Sequence, residues 1–581
     1  MLASFLPSFL PSFLPSFLLC RYERISGRNV FFLTGTDEHG QKVEQSAVAA
    51  GKTPLEFADG VSAKFRELAA SLGCSNDDFI RTTEPRHAAA VTELWRRLEA
   101  NGQIYLGAYE GWYSIRDEAF YSEAELVDGR APTGAEVQWV KEESYFFRLS
   151  QYTDRLLQHY EAHPDFILPK SRRNEVVSFV AQEGGLKDLS VSRTTFQWGL
   201  PVPGNPKHVV YVWLDALANY LTAAGFASEG GLRSDRWPAA LHVVGKDILR
   251  FHAVFWPAFL MAAELELPAR VYAHGWWTKD GEKMSKSVGN VLDPRELLLT
   301  YGKDYLRYFL VAEIVFGNDG DFTHEAFINR CNSDLANDVG NLAQRCLTFI
   351  AKNCDGKVPQ PGALQEVDSN MLASAKESLN VIDALMAQQN LKAACEEIVA
   401  IAKLGNKYID VTAPWALKKT DPERMATVLF VLAEVIRFLG VLLSPITPDS
   451  CDDLLDQLGL AAEPQRHLRT LRSLHDGCIA PGTPIGAPSP VFPKIDPTVL
   501  EGAPRAASKA APPKVHFEEV GAGMGLQELA ENIAELGERV RALKSAAADK
   551  EQLKPLVQQL LAFKERYKGA NGGRAYEPPK A

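Results

Sequence analysis

Gly281-Glu282-Lys283-Met284-Ser285-Lys286-Ser287-Val288-Gly289-Asn290 is the stretch on which the reading of this chain turns. Two lysines bracket small hydroxyl residues, and glycines flank the loop. Lysine ammonium groups are point charges that can follow a moving polyphosphate, and flanking glycines let a loop change shape. A bare K-x-x-K reads as a solvated basic loop, but the full ten-residue string is far more specific.

Working outward, Arg28–Gly35 (RNVFFLTG) reads as a buried strand that runs into an acidic-histidine cluster, Asp37-Glu38-His39-Gly40, and then a helical pattern. That order predicts an α/β sheet with its site at the strand ends. From Tyr109 to Phe147 the pattern changes to short aromatic-rich strands, with turn signals at Gly129 and Pro132-Thr133-Gly134. The α/β pattern resumes at Val209–Trp213 and at Leu241–Gly245, and long helical periods fill Asn329–His475. Residues 480–515 are Pro-rich and read as a linker, followed by short amphipathic helices rich in Lys and Arg.

The 581 residues imply several domains, with an ordinary globular composition of 46% hydrophobic and 23% charged residues. The net charge of −11 argues against a uniformly basic nucleic-acid binder, though not against local basic patches. Eight scattered cysteines form no C-x-x-C pair, so neither a zinc knuckle nor a disulfide framework is indicated.

KMSKS resembles the second signature of class I aminoacyl-tRNA synthetases. With FLTGTDEHGQK, YVWLDALANY, VVGKDILRFHAVFWPAFL, HGWWTKDGEKMSKSVGN and ANDVGNLAQR, the chain resembles the methionyl-tRNA synthetase family from about Arg21 to about Pro448. The resemblance implies a Rossmann-type α/β catalytic domain, N-terminally incomplete, with an inserted connective domain. A helical anticodon-binding bundle and a small helical-hairpin tail follow. The expected boundaries are 1–20 for an SFLP repeat outside the fold, 21–108 and 171–275 for the catalytic domain, and 109–170 for the insertion. Residues 276–328 hold the KMSKS loop and stem-contact region, 329–479 the bundle, 480–520 the linker and 521–581 the tail. Rival class I families fit less well: the Leu, Ile and Val enzymes need a large editing insertion, and the Cys enzyme needs zinc ligands.

The implied chemistry is attack of the methionine carboxylate on the α-phosphorus of ATP, brought with Mg²⁺, followed by transfer to the 3′-terminal ribose of tRNA(Met). Lys283 and Lys286 would neutralise the pyrophosphate, with Met284, Ser285 and Ser287 completing the ATP loop. Asp37, on its own a candidate helix cap, would hold the methionine ammonium. Arg193, on its own a candidate surface ion pair, would lie near the carboxylate.

Trp213, Ala216 and Tyr220 share a face if helical, as do Ile248, His252 and Trp256. Either stripe alone reads as core packing. The resemblance assigns Trp213, Ala216, Tyr220, Ile248 and His252 to the methionine side-chain pocket. Asn341, Arg345 and Trp415, individually weak signals, would read the anticodon.

The tail resembles a WHEP-type hairpin. There Arg539, Arg541, Lys544, Lys550, Lys554, Lys564, Arg566 and Lys568 would contact tRNA phosphates, or else form a charged solvated helix pair. The insertion has no cysteine between Tyr109 and Tyr145, which resembles the zinc-free bacterial and organellar branch, so no metal site is expected.

One part of the family pattern is missing. The first signature, His-Ile-Gly-His or close to it, precedes the second strand, yet the first histidine here is His39. Before Arg21 stands SFLP repeated, with prolines at 7, 11 and 15 that oppose a helix interior and a central strand. The expectation is that the first strand, the signature and most of the first helix are absent, and that the repeat is a translated tandem repeat or a mis-assembled start. ATP–pyrophosphate exchange by this chain is then expected near background. The alternative function is a non-catalytic tRNA-binding relative. No membrane association is expected. The combination of branch and tail points to a mitochondrion or plastid, with the cytoplasm as the alternative.

Overall fold

The computed structural model describes residues 6–117, 119–121, 123–279, 282–284, 292–461 and 463–497, with scattered positions between 526 and 571. The chain divides into two units, Met1–Val499 and Leu500–Ala581.

Two parallel sheets build the catalytic part of the larger unit. In one, Leu33–Thr36 pairs with Asp78–Arg81. In the other, His242–Gly245 pairs with Val271–His274, which pairs with Ile167–Leu168. Ile167–Leu168 therefore belongs to the catalytic sheet and not to the insertion, as the 109–170 boundary had it. The two-residue strand is too short to leave a periodic signature. At Gly35 a Cβ would stand 2.0 Å from the Ile80 carbonyl oxygen, so only glycine allows the first two strands this approach.

The N-terminal repeat differs from expectation. A helix runs over Leu6–Ile25, and no strand precedes Leu33–Thr36 among the described residues. A four-residue repeat lies close to the 3.6-residue turn, so its pattern drifts only slowly around a helix. Each interior proline costs about 3 kcal/mol. Burial offsets this: Phe17, Leu18, Leu19 and Tyr22 are all buried in the main core, at about 2 kcal/mol each. The helix packs beside His242–Gly245 and Lys303–Ala312. Arg24 ties its end to the Ser75 carbonyl (2.9 Å) and to Asp77 (2.6 Å).

The insertion is a long antiparallel ribbon, Ile104–Ser114 with Gln138–Phe147, in register from Ile104↔Phe147 to Tyr113↔Gln138. It starts earlier than the aromatic-rich pattern suggested, because the small Gly107 and Ala108 interrupt the alternation. Gly129 and Gly134 adopt φ of 72° and 76°, in the left-handed region that favours glycine at a turn.

Long helices Glu366–Ala387, Leu391–Thr412 and Pro422–Leu443 form the bundle with Asn341–Asn353. Pro422–Leu443 is apolar enough to cross a membrane by composition, but 94% of its apolar window is buried as the bundle's central helix. Residues 480–497, expected as linker, instead strap the bundle. Ile485 N donates to the Gly356 carbonyl, Tyr305 Oη to the Pro493 carbonyl at 2.6 Å, and Phe492 is 3% exposed. Proline removes donors but leaves carbonyls and apolar rings that such a strap can use. In the smaller unit Leu529, Ile533, Leu536 and Phe563 form a compact apolar cluster.

Candidate active site

A cavity of about 1540 Å³ opens between the two parallel sheets. Its walls include the strand Leu33–Thr36, Asp37, the His242–Val243 end of the facing strand, and Leu19 and Cys20 of the N-terminal helix. Six of the seven residues assigned to methionine line it: Asp37, Trp213, Ala216, Tyr220, Ile248 and His252. Met284 of the lysine loop lines it as well.

The wall is built by two short helical segments in succession, Val212–Leu217 and Asn219–Ala223, which keep Trp213, Ala216 and Tyr220 on the cavity side. Trp213 stacks on Phe251 with centroids 3.8 Å apart. His252 stands in a π-helical turn, Phe251–Phe255. That turn slips the helical register, so Trp256 is fully buried in the core and does not continue the stripe of Ile248 and His252.

The Ile248 carbonyl lies 3.0 Å from His252 Nδ1 and can only accept, so Nδ1 carries the proton. His252 Nε2 then accepts from the Tyr220 hydroxyl at 2.8 Å. Burial pushes the His252 imidazole down to about 4. Burial and then His252 push His242 down to about 3. Both rings are neutral at pH 7. The wall therefore offers polarizable aromatic faces without imidazolium charge, which suits a thioether.

Arg193 does not join the cavity. It is 2% exposed on the strand Ser192–Arg193, donates to Ser190 Oγ at 3.0 Å, and lies 3.9 Å from Glu142 and 4.6 Å from the Tyr211 centroid. It is neither a surface ion pair nor a cavity residue. The backbone of Lys283 pairs with Thr278 in a short hairpin. Ser285, Lys286 and Ser287 lie outside the described residues, as do all the tail cations except Lys564, which is exposed.

Asn341 is exposed and Arg345 half-buried on one helix, Asn341–Asn353, with Arg345 bound to Asp410 (3.0 Å) and Asn406 (2.7 Å). Asp410 lies near the end of Leu391–Thr412, just before Trp415, which is 50% exposed.

Sequence reasoning missed a buried charge cluster under the pocket. His39 Nδ1 lies 2.6 Å from Asp215 Oδ2, and His87 Nε2 lies 2.7 Å from Asp215 Oδ1. Burial would raise the Asp215 carboxyl, but the His39 charge and hydrogen bonds from both histidines bring it down to about 2. Burial would lower His39, but Asp215 outweighs it and raises the ring above its ordinary value. The signal was present: Asp215 sits between the pocket residues Trp213 and Ala216, and a carboxylate on a buried helix needs partners.

Comparison with known proteins follows the same lines. The family model for class I tRNA synthetases (M) matches residues 9–137 and 124–347, and that for the anticodon-binding domain of methionyl tRNA ligase matches 358–503. The chain belongs to the methionyl-tRNA synthetase family. A WHEP-TRS domain matches 529–581. Among relatives, the methionine–tRNA ligase of Brucella suis biovar 1 is 54% identical over 481 residues, 82% of this chain and 92% of that protein. That of Rickettsia conorii is 52% identical over 483 residues, 82% and 94% of the two chains. The Mycobacterium tuberculosis methionyl-tRNA synthetase in complex with methionyl-adenylate superposes with a TM-score of 0.80 at 48% identity, covering 83% of this chain and 96% of that one. Its apo form gives 0.74 at 44% identity, with coverages of 84% and 95%. The family assignment thus agrees with the motifs, and the synthetase fold carries its helical anticodon-binding domain.

Proposed function

We propose that the protein is a methionine–tRNA ligase, forming methionyl-adenylate from methionine and ATP and passing methionine to the 3′ end of tRNA(Met). The observation that carries this is convergence. Asp37, the Trp213–Tyr220 segment and the Ile248–His252 segment, far apart in sequence, meet at one cavity that also takes in Met284. The reading as a non-catalytic tRNA-binding relative is not favoured, since every close relative named above is a methionine–tRNA ligase.

Asp37 takes the substrate ammonium, a sound partner for a carboxylate. Trp213, Ala216, Tyr220, Ile248 and neutral His252 receive the thioether. Arg193 acts on the carboxylate only through the residues it packs against, since it does not reach the cavity wall. The adenylation step needs little covalent help, so its catalysis is mostly positioning and charge stabilisation. Lys283 and Lys286 stabilise the departing pyrophosphate. Mg²⁺ arrives on the ATP phosphates as part of the substrate, and no resident zinc is involved.

Asn341, Arg345 and Trp415 read the anticodon, Trp415 by stacking. The tail's cations add sequence-independent phosphate contacts. A mitochondrion or plastid is the proposed compartment, supported by the cysteine-free insertion together with the WHEP tail, and imaging of a C-terminal fluorescent fusion tests it. Methionine-dependent ATP–pyrophosphate exchange by the 581-residue chain tests the function. Because the cavity is assembled, with Leu19 and Cys20 of the N-terminal helix in its wall, exchange with methionine and not with leucine replaces the near-background exchange expected from the missing signature, while none above background would return the chain to the non-catalytic reading.

A further inference from the structure

The loop that carries Asp37 is fastened on two sides. Glu38, fully buried, accepts from Thr36 Oγ1 (2.7 Å), Thr83 Oγ1 (2.6 Å) and Arg81 (2.7 and 2.9 Å). Trp198 Nε1 donates to the Glu38 carbonyl at 2.6 Å. His39, the next residue, crosses to Asp215 on the helix Val212–Leu217, and Asp215 is held from behind by His87 of the helix Pro85–Ala100. His87 Nδ1 in turn lies 3.0 Å from Thr222 Oγ1. Gly40 then turns the chain away with a φ of 104°, a conformation that favours glycine.

The geometry has one consequence for substrate choice. Asp215 stands between Trp213 and Ala216 in sequence, but its partners lie away from the cavity that those two residues line. The His39–Asp215 contact therefore joins the carboxylate on one side of the cavity to the wall on the other. We propose that His39, Asp215 and His87 form a positioning clamp that fixes the separation between Asp37 and the wall of Trp213 and Ala216. The pocket then measures the distance from an α-ammonium to a side-chain thioether. This rests on the reading of the cavity as the methionine site.

Burying a carboxylate costs several kcal/mol unless it is paired and hydrogen-bonded, and here both of its oxygens are used. The charged groups facing His39 are Asp215 from the helix and Glu38 from its own loop. Those facing Asp215 are His39 and His87. Because the folded pKa of His39 is raised, the ion pair is complete below pH 6.5 and is lost as pH rises through the raised value. Asp215 stays ionised until pH falls towards about 2.

The experiment is calorimetric titration of the full chain with three ligands. L-Methionine has ammonium, carboxylate and thioether, methioninol lacks the carboxylate, and 4-(methylthio)butanoate lacks the ammonium. In Asp215→Asn, L-methionine and methioninol are expected to bind about ten-fold more weakly, since small misplacements of binding groups are costly. 4-(Methylthio)butanoate should stay within about two-fold, because it does not use the Asp37 end. The wild-type to variant affinity ratio for L-methionine should also shrink as pH rises through the His39 transition. Titration of the ligand's own ammonium cancels from that ratio.

An equal loss on all three ligands, or no loss on any, overturns the clamp. A wild-type chain that binds neither L-methionine nor methioninol overturns the reading of the cavity itself, before any variant is made. His39→Leu, which removes the donor to Asp215, carries the same comparison if Asp215→Asn does not fold.

Discussion

Replacing Phe17 by alanine tests whether the repeat-derived helix is part of the folded protein. Phe17 is fully buried, and the Arg307 guanidinium lies 3.9 Å from its ring centroid. Arg307 is itself buried and donates to the carbonyls of Leu72 (2.9 Å), Pro445 (2.6 Å) and Ile446 (2.5 Å). Burial, and then the charge of Arg21, push it down to about 9. The ring therefore fills core volume and also gives a desolvated cation an electron-rich face.

Phe→Ala in a core costs about 3–5 kcal/mol, and the cation–π contact adds about 1–2 kcal/mol. For a unit running from Met1 to Val499, the entropy of unfolding is roughly 1 kcal/mol/K near 60 °C. A cooperative melt should thus fall by about 4–7 °C, and more if only a subdomain melts. Phe17→Leu keeps most of the volume and loses the ring face, so it should fall by about 2–3 °C. Differential scanning calorimetry reads the midpoint, and hydrogen exchange reads protection across residues 15–25. An unchanged midpoint in Phe17→Ala, with unprotected amides in the helix, would refute the argument that core burial outweighs the repeat's prolines.

Three further predictions concern the pocket and the bundle. Tyr220→Phe removes the donor to His252 Nε2 and leaves that nitrogen buried, so KM for methionine should rise about five- to ten-fold with kcat within about two-fold, read by exchange kinetics. His159, His242 and His252 are depressed to about 4, 3 and 4, mainly by burial. Their native forms bind fewer protons than the unfolded chain as pH falls from 6.5 to about 4, so stability should drop through that window. Urea midpoints measured against pH check this, and a flat profile from pH 7 to 4.5 would contradict it. Trp415→Ala should raise KM for tRNA about ten-fold or more, since base stacking contributes about 1–3 kcal/mol. Methionine-dependent exchange should stay unchanged, because Trp415 lies far along the chain in the bundle.

The α/β class was legible from local patterns, whereas spacing alone read the pocket stripes as core packing and only the family resemblance assigned them to a site. Trp213, Ala216 and Tyr220 could be placed on one face from spacing alone, and the change of helix at Ala218 did not disturb it. The π-turn at Phe251–Phe255 was not legible, since nothing in RFHAVFW marks an extra residue per turn. It sent Trp256 into the core. Arg193 failed for a different reason. The two-residue strand Ser192–Arg193 is too short to show by alternation which side its arginine takes, and here it packs inward beside Glu142 and Tyr211.

The charge cluster illustrates what a one-dimensional reading leaves out. Asp37, Glu38 and His39 are consecutive, yet they serve three destinations: the cavity, Arg81 with Thr83, and Asp215. Sequence shows a polar cluster at a strand end and rightly suggests a site there. It cannot divide the labour, because the partners arrive from residues 81, 83 and 215, and only the closed fold sets who meets whom. Once closed, the division has a mechanical effect. With Glu38 and His39 both consumed in buried pairs, the backbone on the C-terminal side of Asp37 has little freedom, so the direction of its side chain is set by bonds that never touch a substrate. The N-terminal helix acts comparably at longer range, since Leu19 and Cys20 form part of the cavity wall while Phe17 is anchored on Arg307. The repeat-derived helix thereby contributes to the site's shape, and loosening Phe17 should be felt in methionine affinity as well as in stability.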